Sequence, residues 1–302
     1  MSDKRLKKPF SKRWLLLIPL LLILIWTLLP AVRALTLVAN VSHRSAPHNP
    51  GPNLPVQEVH FTATDGVHLA GWMLTASPKA PTIILVHGFK GTRVDMLPWA
   101  SFLYQAGYNS LLYDSRGCGE SEGWYSGLGT TEPNDVLGAV RYLQQRTDLT
   151  NKQFGALGIS LGAGIVLLAA AREPALRATV ADSAWVDESA QIDRMSHISG
   201  LPVLPYEPAL VDSLIGAHLE DTRPLDAIQH ISPRAVMLIH SADDANTTTP
   251  LSGEHQLYQA ANEPKEQWIA PSGGHTGALN AHKTEYIQRV LGFFKTYVGA
   301  PA

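Results

Sequence analysis

Short continuous apolar runs alternate along this chain with stretches of helical spacing, and that alternation leaves few architectures open. Thr82-Ile83-Ile84-Leu85-Val86 and Ser110–Asp114 are runs of the kind found in strands buried on both faces. Phe154–Ile159, Ala178–Ala181, Ala235–Ile239 and Gln267–Ala270 read as further strands. Asp95–Gln105, Asp135–Arg146 and the alanine-rich Leu161–Arg172 have helical character, with Val136, Leu137, Val140 and Leu143 on one face of the second. His282–Val298 reads as a closing helix. Ahead of these units, Val56–Thr62 and Val67–Leu74 flank Asp65-Gly66, a hairpin signal. A hairpin followed by repeated strand–helix units predicts an α/β fold, a mostly parallel sheet covered by helices on both faces. Ligands of such sheets bind outside the carboxyl ends of the strands. The chain's 302 residues suffice for one such domain plus an appendage.

The appendage is N-terminal. Lys4, Arg5, Lys7, Lys8, Lys12 and Arg13 make residues 1–13 a basic tail. An uncharged run follows from Trp14 to Val32 and ends at Arg33. It approaches the ~20 residues needed to cross a bilayer core, and Pro19 is tolerable inside a membrane helix. Residues 14–36 therefore read as a transmembrane signal anchor, with the basic tail in the cytoplasm and the rest of the chain outside it. A cleaved signal peptide, with Val32-Arg33-Ala34 as its cleavage site, is the competing reading and leads to secretion. Residues 37–55, rich in Pro, Asn, Ser, His and Gly, read as a linker, and 56–302 as the α/β domain. The tail is cationic and the body anionic, while net charge is near zero overall, so nothing points to nucleic acid. Cys118 has no second cysteine to pair with.

Chemistry concentrates at the predicted strand ends. Gly158-Ile159-Ser160-Leu161-Gly162 lies where a buried strand meets a helix, the context a G-x-S-x-G nucleophile elbow requires. Ser160 is the candidate nucleophile. His275, in the glycine-rich loop Ser272–Gly277 after the last strand, is the candidate general base, with His282 its nearby rival. Asp243 and Asp244 follow the strand Ala235–Ile239, and one of them would accept the ring N–H of His275. The backbone N–H groups of Phe89 and Leu161 are the candidate oxyanion donors, and His87 is read as holding its own loop. No metal-ligand spacing, phosphate loop or dinucleotide fingerprint occurs, so no cofactor and no metal are expected.

With these residues in place, the chain resembles the α/β-hydrolase superfamily over about Val56 to Val298. The likeness rests on His87-Gly88, the stretch Asp114-Ser115-Arg116-Gly117-Cys118-Gly119-Glu120-Ser121, Gly158–Gly162, Asp243/Asp244 and His275. Within that superfamily it is similar to the branch of serine aminopeptidase-like, lysophospholipase-like and membrane-anchored acyl hydrolases. The resemblance implies an acyl-enzyme mechanism on a small-molecule acyl or ester substrate. It implies a supporting rather than chemical role for the Asp114–Ser121 loop, and a lid or cap at 186–233. Its usual spacing from the small residue after the strand, here Ser241, selects Asp244 as the acid. Leu201, Val203, Leu204, Tyr206, Leu210, Leu214 and Ile215 would then line an acyl pocket or simply pack the insertion. A peptidase, a non-hydrolytic enzyme and a silent binding module on the same fold are the rival functions.

Overall fold

Strands with no polar face must be covered on both sides, and the computed structural model shows how this chain does it. It describes residues 12–39, 54–187, 189–200 and 202–301. Most of the basic tail, most of the linker and Leu201 lie outside the described residues. The elements run α1 (Lys12–Val38), β1 (Val56–Thr62), β2 (His68–Leu74), β3 (Thr82–Val86), α2 (Leu97–Gln105), β4 (Asn109–Tyr113), α3 (Pro133–Gln145), β5 (Phe154–Ile159) and α4 (Leu161–Arg172). They continue with β6 (Leu176–Asp182), α5 (Ser189–Ser199), α6 (Glu207–Ile215), α7 (Pro224–Ala227), β7 (Ala235–Ser241), α8 (Leu251–Ala260), β8 (Lys265–Ala270), α9 (Ala278–Ala281) and α10 (Lys283–Tyr297).

The strands form one eight-stranded sheet in the order β1-β2-β4-β3-β5-β6-β7-β8. The hairpin β1–β2 and the β2–β4 pair are antiparallel, and every pair from β4 to β8 is parallel. All residues of β3, β4, β5 and β7 are buried, which is why their sequences read as continuous apolar runs. One core layer packs α3, α4 and α8 against the sheet through Val136, Leu167 and Leu257. The opposite layer packs α2 and α10 through Phe102, Tyr286 and Phe293. The chain leaves β3 towards β4 and later leaves β5 towards β6, so the order reverses between β3 and β5. The loops after these two strands therefore open the crevice where such sheets bind ligands.

Two boundaries differ from the sequence reading. The helix expected over Asp95–Gln105 begins as a 3-10 turn, Arg93–Met96, and becomes α-helical at Leu97. Pro98 suits the first turn, where its missing N–H leaves no bond unmade. The N-terminal helix extends two residues beyond the expected anchor, to Val38, and Ala39 bridges Tyr125. Residues 37–39 are thus ordered packing rather than linker. Large apolar side chains from Leu17 to Leu28 are exposed, whereas Arg33, Ala34, Leu37 and Val38 are buried against α5, α6 and Leu128. Arg33, which the sequence suggests only as the polar end of an apolar run, forms a buried ion pair with Glu207.

Candidate active site

The turn between β5 and α4 works only with small neighbours. Ser160 has φ 54° and ψ −117°, a backbone state that side chains rarely adopt. A Cβ on Gly158 would lie 2.2 Å from the Gly162 carbonyl oxygen, and one on Gly162 would lie 2.4 Å from that of Val86. Either substitution would push the elbow off the sheet. The Ser160 amide is anchored to the Asp182 carbonyl at 2.8 Å, and the side chain projects at the N-terminus of α4. That helix end carries partial positive charge and favours a developing anion.

His275 reaches Ser160 from the loop after β8, its Nε2 2.8 Å from the serine Oγ. Its Nδ1 lies 2.9 Å from Asp244 Oδ2 and 3.2 Å from Thr249 Oγ1. Burial would raise the Asp244 carboxyl, but His240, His275 and the Asn246 amide outweigh it and hold the group well below the usual carboxylate range. A charged Asp244 accepts a proton-bearing Nδ1, which leaves Nε2 bare to accept the serine O–H. Asp243 points elsewhere. Its Oδ1 accepts the Gly274 amide at 2.8 Å, so instead of only closing its own turn it ties down the loop that carries His275. His282 faces away and pairs with Ser272 Oγ at 3.1 Å.

The loop after β3 runs beside the nucleophile, since a Cβ on Gly88 would sit 3.3 Å from Ser160 Cβ. Among the described residues neither the Phe89 amide nor the Leu161 amide has a hydrogen-bond acceptor. Two free donors flanking a serine can receive the oxygen of a tetrahedral intermediate. His87 accepts the Ser115 amide at Nε2 (3.0 Å) and donates from Nδ1 to the Gly88 carbonyl (2.8 Å). Burial lowers its pKa, so it is a neutral brace between two loops. The Asp114–Ser121 loop is likewise structural in its bonding. Asp114 accepts the Arg93 and Glu120 amides, and Arg116 is clamped between Asp65 and Asp135, 2.7 Å from each.

The cavity over Ser160 is about 660 Å³ and is lined by Phe89, Trp99, Ile159, Arg194 and His275 among others. The apolar residues of 203–215 do not line it. Val211 and Ile215 instead pack on α1, and Leu204 lines a separate apolar groove of about 590 Å³ along α1, because the N-terminal helix occupies that face of the insertion.

Three residues here escape sequence reading. Arg194, from α5, lines the cavity with its guanidinium 4.9 Å from the Phe89 ring centroid. His240, at the end of β7, is fully buried with Nε2 3.3 Å from Asp244 Oδ2. Behind it Glu254 Oε2 lies 4.0 Å from His240 Nδ1, and neither carboxyl oxygen is in hydrogen-bonding geometry among the described residues. Burial, reinforced by Asp182, pushes the Glu254 carboxyl up to about 8. Asp182 itself is pushed up to about 6 by burial, against the hydroxyls of Tyr286 and Ser183. Both groups hold protons in the folded protein at pH values where the unfolded chain has released them. Their contribution is complete below the ordinary carboxyl range and is lost as pH rises through about 6 and then about 8. Thermal midpoints measured from pH 5 to pH 8.5 are expected to fall, and Glu254→Gln should remove most of that fall, on the order of a few kcal/mol. An unchanged slope in the variant would contradict the protonated assignment.

Comparison with known proteins agrees with the α/β-hydrolase fold. The family model for X-Pro dipeptidyl-peptidase (S15 family) matches residues 60–272. The chain is 30% identical over 261 residues to the uncharacterized protein YfhR of Salmonella typhi, covering 81% of this chain and 83% of that one. It is 25% identical over 297 residues to the polyketide transferase grgF of a Penicillium species, covering 81% and 98%. The structure of the esterase Pf2001 from Pyrococcus furiosus superimposes with a TM-score of 0.69 at 25% identity, covering 84% of this chain and 98% of the esterase.

Proposed function

From the premise that the chain belongs to the X-Pro dipeptidyl-peptidase (S15) family, and is a serine hydrolase of the α/β-hydrolase fold, we propose that it cleaves a carboxylic ester through an acyl-enzyme on Ser160. The observation that carries this reading is the hydrogen-bonded line from Ser160 through His275 to Asp244. His275 takes the serine proton as Oγ attacks the acyl carbon, and Asp244 stabilises the imidazolium. The Phe89 and Leu161 amides receive the oxyanion. His275 then delivers its proton to the departing alcohol. In the second half-reaction it takes a proton from the attacking water and returns it to Ser160 Oγ as the acid is released. An ester is favoured over a peptide because the esterase Pf2001, 25% identical, is matched over 98% of its length. The family model supports the peptidase reading. Parallel assays on 4-nitrophenyl esters and on X-Pro 4-nitroanilides separate the two. The ester reading expects turnover of the esters at a much higher kcat/KM, and the reverse ranking would replace it with the peptidase.

The insertion at 186–233 is proposed to act as a cap, supported by Arg194 of α5 lining the cavity. The N-terminal helix is proposed to remain as an anchor, with its basic end in the cytoplasm and the catalytic domain outside. Within its apolar stretch Leu17–Val38, the large apolar side chains from Leu17 to Leu28 are exposed, as a segment held in lipid requires. Its last turns support retention over cleavage. A mature N-terminus near Leu35 would remove Arg33 and leave Glu207 buried without that cation. Carbonate-washed membranes are expected to retain full-length protein, and a processed N-terminus at or near Leu35 would overturn the anchor.

A further inference from the structure

Arg194 has an arginine's charge and, among the described residues, no ion-pair partner. Its Nε and Nη2 are shut off from solvent, and neither has a hydrogen-bond acceptor among the described residues. The neighbouring Asp193 does not pair with it. Asp193 accepts the Thr247 hydroxyl instead and lies 3.7 Å from His197 Nδ1. The only carboxylate lining the cavity over Ser160, among the described residues, is Asp95, and its Oδ2 accepts the Thr92 amide at 3.0 Å. A second cavity of about 270 Å³ adjoins the first. Arg194, Phe89 and Asn246 line both, so the guanidinium stands at their junction. Lys90, with its Nζ 5.2 Å from the Phe89 ring centroid and bonded to the Thr36 carbonyl, adds a second positive charge there.

A half-buried guanidinium held over an aromatic ring is expensive to keep without an acceptor. Nε and Nη2 are also the adjacent pair of nitrogens that grips a carboxylate or phosphate side-on, through two parallel N–H···O bonds. We infer that Arg194 is a substrate-binding residue, and that the enzyme's ester carries an anionic group, carboxylate or phosphate, which Arg194 holds at the Phe89 side of the catalytic cavity. The inference rests on the reading of that cavity as the hydrolase's substrate site. Because both nitrogens are closed off in this conformation, engagement requires the fork to turn on its Phe89 stack towards the cavity that it lines. Burial already lowers the Arg194 pKa, to about 10, as expected of a cation short of partners.

The test uses the full-length protein in detergent and matched probes. On the acyl side 4-nitrophenyl hydrogen glutarate is compared with neutral 4-nitrophenyl butyrate. On the alcohol side the butyrate ester of glycerol phosphate is compared with that of glycerol. The wild type is expected to prefer at least one charged probe by roughly tenfold or more, and which pair shows the preference tells where the anion sits. Arg194→Gln should abolish that preference by raising KM for the charged probe far more than for its neutral partner, and melt no lower than the wild type. Arg194→Lys should recover part of it. A wild type without preference, an equal loss on charged and neutral probes, or a lowered melting temperature would each overturn the inference. Glutarate binding to Ser160→Ala, measured by calorimetry with and without Arg194→Gln, separates this inference from the hydrolase reading. Arg194-dependent binding in a protein that turns over no ester would leave the anion site standing and remove the hydrolase reading, while binding indifferent to Arg194 would remove the anion site alone.

Discussion

Ser160→Ala is expected to lower ester turnover by about 10⁶-fold while leaving the fold intact, because nucleophile and base act as one unit and lose almost everything together. The elbow makes this variant clean. Its strain resides in the φ of 54° at residue 160 and in the glycines around it, and alanine adds no atoms to that turn. The His275–Asp244 pair stays in place without a hydroxyl to activate. What remains is the contribution of the free amides at Phe89 and Leu161, of the order of 10³- to 10⁴-fold over water in comparable sites. Kinetics with a fast-leaving ester measure the loss, and unchanged circular dichroism establishes that it is chemical. Retention of more than a few per cent of activity would mean that another residue supplies the nucleophile.

Asp244→Asn is expected to cost about 10⁴-fold in kcat, and Asp243→Asn to keep most of it. The two carboxylates are neighbours in sequence but not in bonding. The Asp244 side chain is shut off from solvent, 2.9 Å from His275 Nδ1, and is held charged by two histidines and an amide. An amide side chain there can donate its N–H to Nδ1, which stabilises the tautomer whose Nε2 carries the proton and cannot accept one from Ser160. Asp243 is exposed, and its oxygen accepts the Gly274 amide, which lowers its pKa. Asparagine retains a carbonyl oxygen for that bond, so the His275 loop stays close to its place. Steady-state rates of both variants decide the matter, and the reverse pattern would transfer the acid to Asp243.

How much of this is legible from residues alone follows from the range of the interactions. The strands and the elbow rest on local signals: apolar runs such as Thr82–Val86, and the glycines at 158 and 162 around Ser160. The three side chains Ser160, Asp244 and His275 are spread over more than a hundred positions, yet each is marked by its own loop after a strand. The interactions that stay hidden are those between elements that carry no motif. Arg33 reads as the end of an apolar run, and only the packing of α1 on α6 brings it to Glu207. Glu254 belongs to no motif, and only the packing of α8 against β7 buries it behind His240. Leu204 and Ile215 have the composition of an acyl pocket, and they meet the N-terminal helix instead. Composition identifies an apolar surface without saying which partner covers it.

The most direct test of the account is to map the covalent adduct left by a fluorophosphonate. The purified full-length protein, inactivated to completion, digested and analysed by mass spectrometry, is predicted to carry one phosphonyl group per chain, on Ser160. No adduct on the peptide spanning β5 and α4, or a stoichiometric adduct on any other residue, would contradict it.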